Sequence, residues 1–312
     1  MAQETAVQEA VTTQTSTRSR SNLKQRKLTQ TIAWIVLYLA GLITVVVLVY
    51  VIGYVISIGA PEINREFLTT DPLGGLEGKG GMRSTIITTG YLVGMVLVWA
   101  APFGIGAGIY LMEYADDAVN STNKLIQFLI AAARFGVETL AGVPSIIFGL
   151  FGYTLFVTTM QMGFSLMAAS LAGACLVLPT IIRTTEEALR TVPRSYREAS
   201  LALGATKWQT IYKVVLPAAA PGIITGIILS VGRVVGETAV FFVTLGGSSG
   251  VPQTLFSGGR SMALHVFYLA MDTRAFEKAM ATGVILIISI ILINLMINVI
   301  TNRIQANLRG DR

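Results

Sequence analysis

The chain has 312 residues, of which 53% are hydrophobic and 13% are charged, and its mean hydropathy is +0.66. Soluble globular domains carry about 25% charged residues, so this composition excludes an ordinary soluble domain and indicates a polytopic membrane protein. The net charge is +6, and a single cysteine, Cys175, and a single histidine, His265, exclude an internal disulfide and a histidine-based metal cluster.

The N-terminal segment, residues 1–28, is polar, rich in Thr, Gln and Ser, and has no hydrophobic period over most of its length. This composition predicts a disordered tail. Its basic cluster precedes an apolar run that is too long for the core of a cleaved signal peptide. We therefore expect the segment to be retained as a cytoplasmic tail.

Apolar runs long enough to cross a bilayer recur along the rest of the chain, since a hydrocarbon core of about 30 Å needs about 20 apolar helical residues. The predicted spans are about Ile32–Ile58, Ile86–Leu111, Gly142–Met160, Phe164–Ile182, Val214–Leu245 and Met280–Ile300. The first span and the external loop after it make up residues 29–84. Residues 85–302 form the predicted membrane core, and residues 303–312 a C-terminal tail.

The loop charges predict how these spans are oriented. If the N-terminus is inside, 16 Lys and Arg residues lie on the cytoplasmic side and six outside, and the remaining one, Arg233, lies within a span. By the positive-inside rule, this excess predicts that both termini are cytoplasmic. Between the second and third spans, residues 123–140 keep a helical apolar spacing, which predicts either an interfacial helix or an extension of the third span.

One polar segment interrupts the apolar sequence, Arg183–Pro217, with six basic residues and three glutamates. Within it, residues 198–204 predict a short helix after Pro193 that ends in a turn at Gly204, because glycine adopts backbone conformations that other residues avoid. Apolar residues in this segment, such as Trp208, favour a docking surface over a merely solvated basic loop.

Two charged residues lie inside the fifth predicted span. Arg233 and Glu237 are four residues apart, which predicts that they share one helix face. Charges inside a span rarely face lipid, so we interpret them as a pore-lining pair in which Arg233 binds an oxyanion and Glu237 holds the guanidinium. The alternative is a structural ion pair between helices. Arg183, at the end of the fourth predicted span, is by itself an ordinary inside-flanking arginine.

Two glycine-rich stretches are rejected as nucleotide sites. Leu73–Gly80 lacks the first glycine and the final Ser or Thr of a phosphate-binding loop. Gly104–Gly108 lies inside an apolar span, where glycines predict close helix packing. The chain is therefore not expected to be an enzyme, and no cofactor, metal or catalytic residue is predicted.

The polar segment resembles the EAA loop of ABC-transporter permeases, in which a glutamate and two small residues precede a glycine and an apolar-Leu-Pro exit. Four longer stretches are similar to the PstA family, the permease subunits of high-affinity phosphate ABC transporters: Gly108–Ala115, Leu140–Gly152, Leu178–Trp208 and Gly232–Thr238. Together they cover roughly residues 85–245. The sister PstC family shares several of these motifs, but the TTEEALR and GATKW stretches favour PstA.

The resemblance implies an all-α, type I ABC-importer permease fold with about six transmembrane helices and a cytoplasmic coupling loop at residues 184–213. It implies that Arg183 joins Arg233 and Glu237 on the substrate path. It also implies that a partner ATPase docks on a set of loop residues: Glu198, Ala199, Ser200, Gly204 and Ala205.

The implied location is the plasma (cytoplasmic) membrane, where the chain contacts membrane lipid and no nucleic acid. The implied protein partners are a PstC-like permease, a PstB-like ATPase dimer and a PstS-like phosphate-binding protein. The residues themselves leave the cargo open. Another oxyanion such as sulfate or molybdate would suit an arginine in a span, and a membrane scaffold or regulatory subunit that transports nothing is a further alternative.

Overall fold

The structure is a computed structural model, and it describes residues 2–73, 80–115, 124–272 and 275–309. The chain divides into two units, Met1–Val55 and Ile56–Arg312. The rejected phosphate-loop stretch Leu73–Gly80 lies mostly outside the described residues, as do residues 310–312 of the predicted C-terminal tail.

The described residues form helices and no strand, apart from one isolated bridge between Pro72 and Gly80. In chain order the helices are α1 (Ala2–Gly59), α2 (Arg65–Thr69), α3 (Arg83–Ile109), α4 (Lys124–Ala141), α5 (Ser145–Gly152), α6 (Leu166–Thr191), α7 (Arg194–Ala202), α8 (Lys207–Thr210), α9 (Leu216–Val235), α10 (Ala239–Thr244), α11 (Met262–Met271) and α12 (Phe276–Arg309). Wider π-helical segments continue α3, α5 and α8: Tyr110–Tyr114, Tyr153–Thr159 and Ile211–Val215.

The helices confirm an all-α fold with about six spans. In the described chain, five stretches are long and apolar enough to cross a membrane: Thr29–Glu62, Arg83–Tyr114, Leu166–Thr191, Lys207–Val235 and Phe276–Val299. A sixth arises if α4 and the stretch Ser145–Thr159, which meet at 112°, are taken as one broken span. Because of this bend, α4 is not a straight extension of the third predicted span.

Several predicted boundaries are wrong. The fourth span continues past Ile182 to Thr191, since the polar residues that follow it are good helix formers, and the predicted coupling loop 184–213 therefore begins inside α6. The fifth span begins at Lys207 and breaks after Val235.

The two predicted tails also differ from expectation. Residues 1–28 contain no glycine or proline to interrupt a helix, and α1 extends back to Ala2 where a disordered tail was predicted. The predicted C-terminal tail, residues 303–312, continues α12 as far as Arg309.

Helix α6 lies at the centre of the Ile56–Arg312 unit and packs closely on α3. A Cβ atom at Gly104 would lie 2.7 Å from Ile181 Cγ2, and one at Gly108 would lie 2.7 Å from Thr185 Cβ. Real Cβ atoms do not approach so closely, so only glycine permits this separation of the two helix axes. The packing role predicted for the Gly104–Gly108 stretch is confirmed.

A half-buried arginine, Arg260, fixes the loop between α10 and α11. Arg260 donates to the carbonyl of Gly247 from Nε at 3.1 Å and from Nη2 at 2.6 Å, and its guanidinium lies 4.3 Å from the ring centroid of Tyr268. Its Nη1 lies 3.4 Å from His265 Nδ1. Burial, with a smaller contribution from Arg260, lowers the pKa of His265 to about 3. His265 is therefore a neutral packing residue at physiological pH.

Candidate functional site

The segment between α6 and α9 begins with a short helix whose ends match the sequence signals. Helix α7 starts directly after Pro193, and Gly204 follows its end with a φ of +85°, in the left-handed region. The Gly204 amide donates to the Leu201 carbonyl at 2.9 Å and the Ala205 amide to the Ser200 carbonyl at 3.2 Å. These two bonds form a Schellman motif, which satisfies the last carbonyls of the helix. The predicted helix and turn are confirmed.

Helix α8 is held against α7 by polar contacts. Thr206 and Gln209 form a reciprocal capping box at the start of α8. The hydroxyls of Ser200 and Thr210 lie 2.9 Å apart and join the two helices. Residues 194–210, called here the α7–α8 surface, therefore form one compact projection.

The α7–α8 surface exposes large apolar side chains. Leu203 is 89% exposed and Trp208 is 63% exposed, and Tyr196 and Leu201 are about half exposed. Glu198 lies among them and is also exposed. Apolar side chains clustered on an exposed projection are typical of an interaction site, since water solvates them poorly.

An ion pair that sequence reasoning missed joins this surface to α3. Arg197 Nη2 lies 2.5 Å from Glu113 Oε1, and the side chains are only 18% and 8% exposed, respectively. The two residues are 84 positions apart. Glu113 stands in the Gly108–Ala115 stretch, and Arg197 directly precedes Glu198, but no local pattern links the two positions.

Arg233 lies on the face of α9 that the described chain leaves open. Along this face Pro221, Thr225 and Leu229 recur at four-residue spacing, all exposed, and Arg233 follows at the same spacing, half-buried. Its guanidinium forms no ion pair with Glu237 within the described parts of the chain. Because a charge in a span rarely faces lipid, this position points to a partner protein or a water-filled path.

The packing of α9 on α6 sets the depth of Arg233. A Cβ at Gly222 would lie 2.6 Å from Ala188 Cβ, and one at Gly226 would collide with the hydroxyl of Thr184. The two helices are therefore antiparallel, and the same register carried seven residues further brings Arg233 level with Val177. Val177 and Val234 belong to the same buried cluster. Arg233 thus lies near the middle of the α6 span.

Glu237 does not share a helix face with Arg233, which corrects the predicted pairing. Helix α9 ends at Val235, and Glu237 lies in the break before α10. Its Oε1 accepts hydrogen bonds from the amides of Ala239 and Val240 at 3.0 and 3.3 Å. The carboxylate therefore caps α10, where the helix dipole favours negative charge.

Arg183 is exposed and lies within α6, two turns before the helix ends, so it does not end the span as predicted. Since Arg233 is level with Val177, Arg183 lies six residues further along α6 than the level of Arg233. At 1.5 Å per residue this is about 9 Å. The two arginines thus lie at different depths.

The comparisons with known proteins identify the family. Residues 100–310 match the family described as "Binding-protein-dependent transport system inner membrane component". The chain belongs to this family. It is therefore a permease subunit of an ABC importer, and this family of non-catalytic membrane proteins implies partnership with an ATPase and a binding protein.

Curated relatives match this permease over most of its length. The probable ABC transporter permease protein YqgI of Bacillus subtilis is 32% identical, over 86% of this chain and 94% of its own. The phosphate transport system permease protein PstA 1 of Mycobacterium tuberculosis is 33% identical, over 87% and 88%. The phosphate transport system permease protein PstA of Yersinia pestis is 37% identical, over 71% and 72%.

Solved structures share the fold at lower identity. The permease resembles a chain of the MetNI methionine ABC transporter with a TM-score of 0.51 and 22% identity, over 73% of this chain and 94% of that one. It resembles a chain of a bacterial alginate ABC transporter with a TM-score of 0.53 and 16% identity, over 72% and 80%. These likenesses confirm the type I importer permease fold.

Proposed function

We propose that this permease moves inorganic phosphate, as the transmembrane subunit of an ATP-driven importer. The observation that carries the proposal is Arg233, a half-buried arginine on the open face of a broken span, level with the middle of α6. The names of the PstA relatives, 33–37% identical, favour phosphate as the cargo.

The chemistry of Arg233 suits a transported oxyanion. A guanidinium offers planar donors that match two phosphate oxygens at once. Glu237 is engaged with the amides of Ala239 and Val240, so it does not occupy the guanidinium. Its negative charge, four residues along the chain from Arg233, would still temper the grip on the anion, which must leave again. Arg183, about 9 Å along the helix axis, is the second basic residue of the proposed path.

The α7–α8 surface is the proposed site of coupling. The exposed side chains of Leu203 and Trp208 would enter a groove of a PstB-like ATPase, with Glu198 and Ala199 beside them. Ser200 holds α7 to α8, and Gly204 and Ala205 close the turn between them. ATP binding and hydrolysis would then displace the surface as a rigid body and drive alternating access.

The remaining partners follow from the same proposal. A PstC-like permease would cover the open face of α9 and complete the path, and a PstS-like protein would deliver phosphate from outside. The excess of basic residues in the loops that would face the cytoplasm supports two cytoplasmic termini in the cytoplasmic membrane.

Uptake of radiolabelled phosphate tests the proposal in vesicles that hold this permease, its partner permease, the ATPase and the binding protein. We expect ATP-dependent uptake in the native complex and its loss in Arg233→Ala, with Arg233→Lys intermediate because lysine keeps the charge but not the planar fork. The matched control is Arg65→Ala, at an exposed residue of α2. Each variant is also tested for co-purification of its partners.

Three results would contradict the proposal. Uptake of sulfate or molybdate without uptake of phosphate overturns the cargo. ATP hydrolysis without uptake of any oxyanion favours a scaffold or regulatory subunit. An Arg233→Ala complex that falls apart assigns that arginine to assembly rather than to the path.

A further inference from the structure

The end of α3 contacts the α7–α8 surface through two neighbouring residues, Glu113 and Tyr114. Both lie in the π-helical segment Tyr110–Tyr114, where the wider turn changes the direction of the side chains relative to the preceding helix. The stretch Gly108–Ala115 that contains them has no role in the phosphate path or in ATPase docking as proposed above.

Arg197 uses its whole guanidinium to join three elements. Nε donates to both carboxylate oxygens of Glu113, at 3.1 and 3.3 Å, and Nη2 donates to Oε1 at 2.5 Å. Nη2 also donates to the Leu189 carbonyl at 3.0 Å, and Nη1 to the Val192 carbonyl at 2.9 Å. These carbonyls belong to the end of α6, where a cation also suits the helix dipole. One side chain thus ties α7 to both α3 and α6.

Tyr114 makes the second contact. The ammonium of Lys207 lies 4.8 Å from the centroid of its ring, within the range of a cation–π interaction. Glu113 therefore holds α7, and Tyr114 holds α8. The two contacts reach both halves of the α7–α8 surface from one turn of the π-helical segment that continues α3.

Apolar packing does not provide this attachment. None of the nine residues of α7, all of which the structure describes, is buried. A helix without a buried face depends on polar contacts for its position. The Glu113–Arg197 pair is well shielded from water, so its interaction is less screened than that of an exposed pair.

We propose that the Glu113–Arg197 pair, assisted by Tyr114 and Lys207, transmits the movement of the α7–α8 surface to α3 and α6. Glu113 and Arg197 are positioning residues that touch neither phosphate nor nucleotide. The inference rests on the proposed function, since it takes the α7–α8 surface as the site where the ATPase docks. A rigid, multiply bonded link can pass a displacement in either direction, whereas a loose contact would absorb it.

The test compares transport with ATP hydrolysis in the reconstituted complex. Glu113→Gln keeps the shape of the side chain and removes its charge, and Arg197→Lys keeps the charge but cannot serve both carbonyls and the carboxylate. The matched controls are Glu187→Gln and Arg190→Lys, at exposed positions of α6. The readouts are co-purification of the ATPase, the rate of ATP hydrolysis, and anions imported per ATP hydrolysed.

We expect Glu113→Gln and Arg197→Lys to retain the ATPase and continue hydrolysis. The number of anions imported per ATP should fall about tenfold, within the usual range of coupling between sites. The controls keep the native ratio. The exchange Glu113→Arg with Arg197→Glu restores the pair but not the bonds to Leu189 and Val192, so we expect partial recovery. A purely structural role would lower the amount of complex and leave this ratio unchanged.

Two results overturn the inference. In one, Glu113→Gln imports as many anions per ATP as the native chain. In the other, Glu113→Gln loses the ATPase, so that the pair shapes the docking site and transmits nothing. Failure of the proposed function is seen separately. If the native complex imports another oxyanion, the cargo assignment fails and the same ratio is measured with that anion. If Leu203→Glu leaves the ATPase bound, the α7–α8 surface is not the docking site.

Discussion

Gly204 offers the sharpest test of the α7–α8 surface, because its substitution changes backbone energy without a steric clash. Its φ is +85°, and a Cβ built there meets no described atom within 4 Å. The cost of Gly204→Ala is therefore conformational, about 1–2 kcal/mol for an L-residue in the left-handed region. A cost of this size lowers the population of the native turn by a factor of about 5–30. Asparagine adopts this conformation more readily than alanine, so Gly204→Asn is the matched variant with a larger side chain.

The assay measures the affinity of the ATPase for the permease and ATP-dependent uptake. We expect Gly204→Ala to weaken both, because the altered turn moves Leu203 and Thr206 and separates α7 from α8. Gly204→Asn should remain closer to the native chain despite its greater bulk. If asparagine impairs docking more than alanine does, side-chain volume governs the effect and the backbone reasoning is refuted. Native affinity in both variants would show that the turn does not position the docking surface.

Three further predictions concern packing, protonation and the helix break. Gly108→Val should lower the free energy of unfolding of the purified chain by about 1–3 kcal/mol through overpacking against Thr185. Gly106→Ala should not lower it, because a Cβ there meets no described atom within 4 Å. Equal losses in both variants, measured by thermal unfolding, would contradict the packing argument. His265 has a pKa of about 3 when folded and about 6.5 when unfolded, so the unfolded state binds more protons between these values. The contribution of His265 to the free energy of unfolding should therefore fall as the pH drops below about 6.5, by at most about 1.4 kcal/mol per pH unit, and stay constant above that pH. His265→Gln should reduce this slope in thermal unfolding measured against pH. An unchanged slope would refute the assignment of His265 as a neutral packing residue. Glu237→Ala removes the cap of α10 and should lower the free energy of unfolding by about 1 kcal/mol. Glu237→Gln keeps an acceptor oxygen and should lower it less. Thermal unfolding checks this order, and the reverse order would argue against the cap.

The parts of the fold that depend on local sequence could be predicted. Span number follows from the length of apolar runs, and the ends of α7 follow from Pro193 and Gly204, which act on their immediate neighbours. The pairing of Arg233 with Glu237 failed because the four-residue rule holds only while the helix continues. Gly236 ends α9 and Glu237 caps α10, but both lie inside a long apolar run. The span prediction followed the hydropathy of that run and therefore continued the helix through them.

Contacts between distant segments could not be predicted. The Glu113–Arg197 pair depends on the packing of α3 against α6, which brings the end of α3 beside the start of α7. Each residue alone has an ordinary explanation, as a charge near a membrane surface. Only the tertiary structure joins them, and no spacing rule extends over 84 positions.

Helix α6 connects the two proposed sites. Its last carbonyls, at Leu189 and Val192, accept hydrogen bonds from Arg197. Within the last two turns of α6, Thr184 and Ala188 meet the glycines of α9 so closely that the two helices cannot slide past each other without a clash. A displacement of α7 that reaches α6 must therefore move α9 as well, and α9 carries Arg233 two turns beyond that contact. For this reason we expect the contact of Gly222 and Gly226 with α6 and the Glu113–Arg197 pair to act in series. Loosening either one should uncouple uptake from ATP hydrolysis, and loosening both should add little to the loss caused by one.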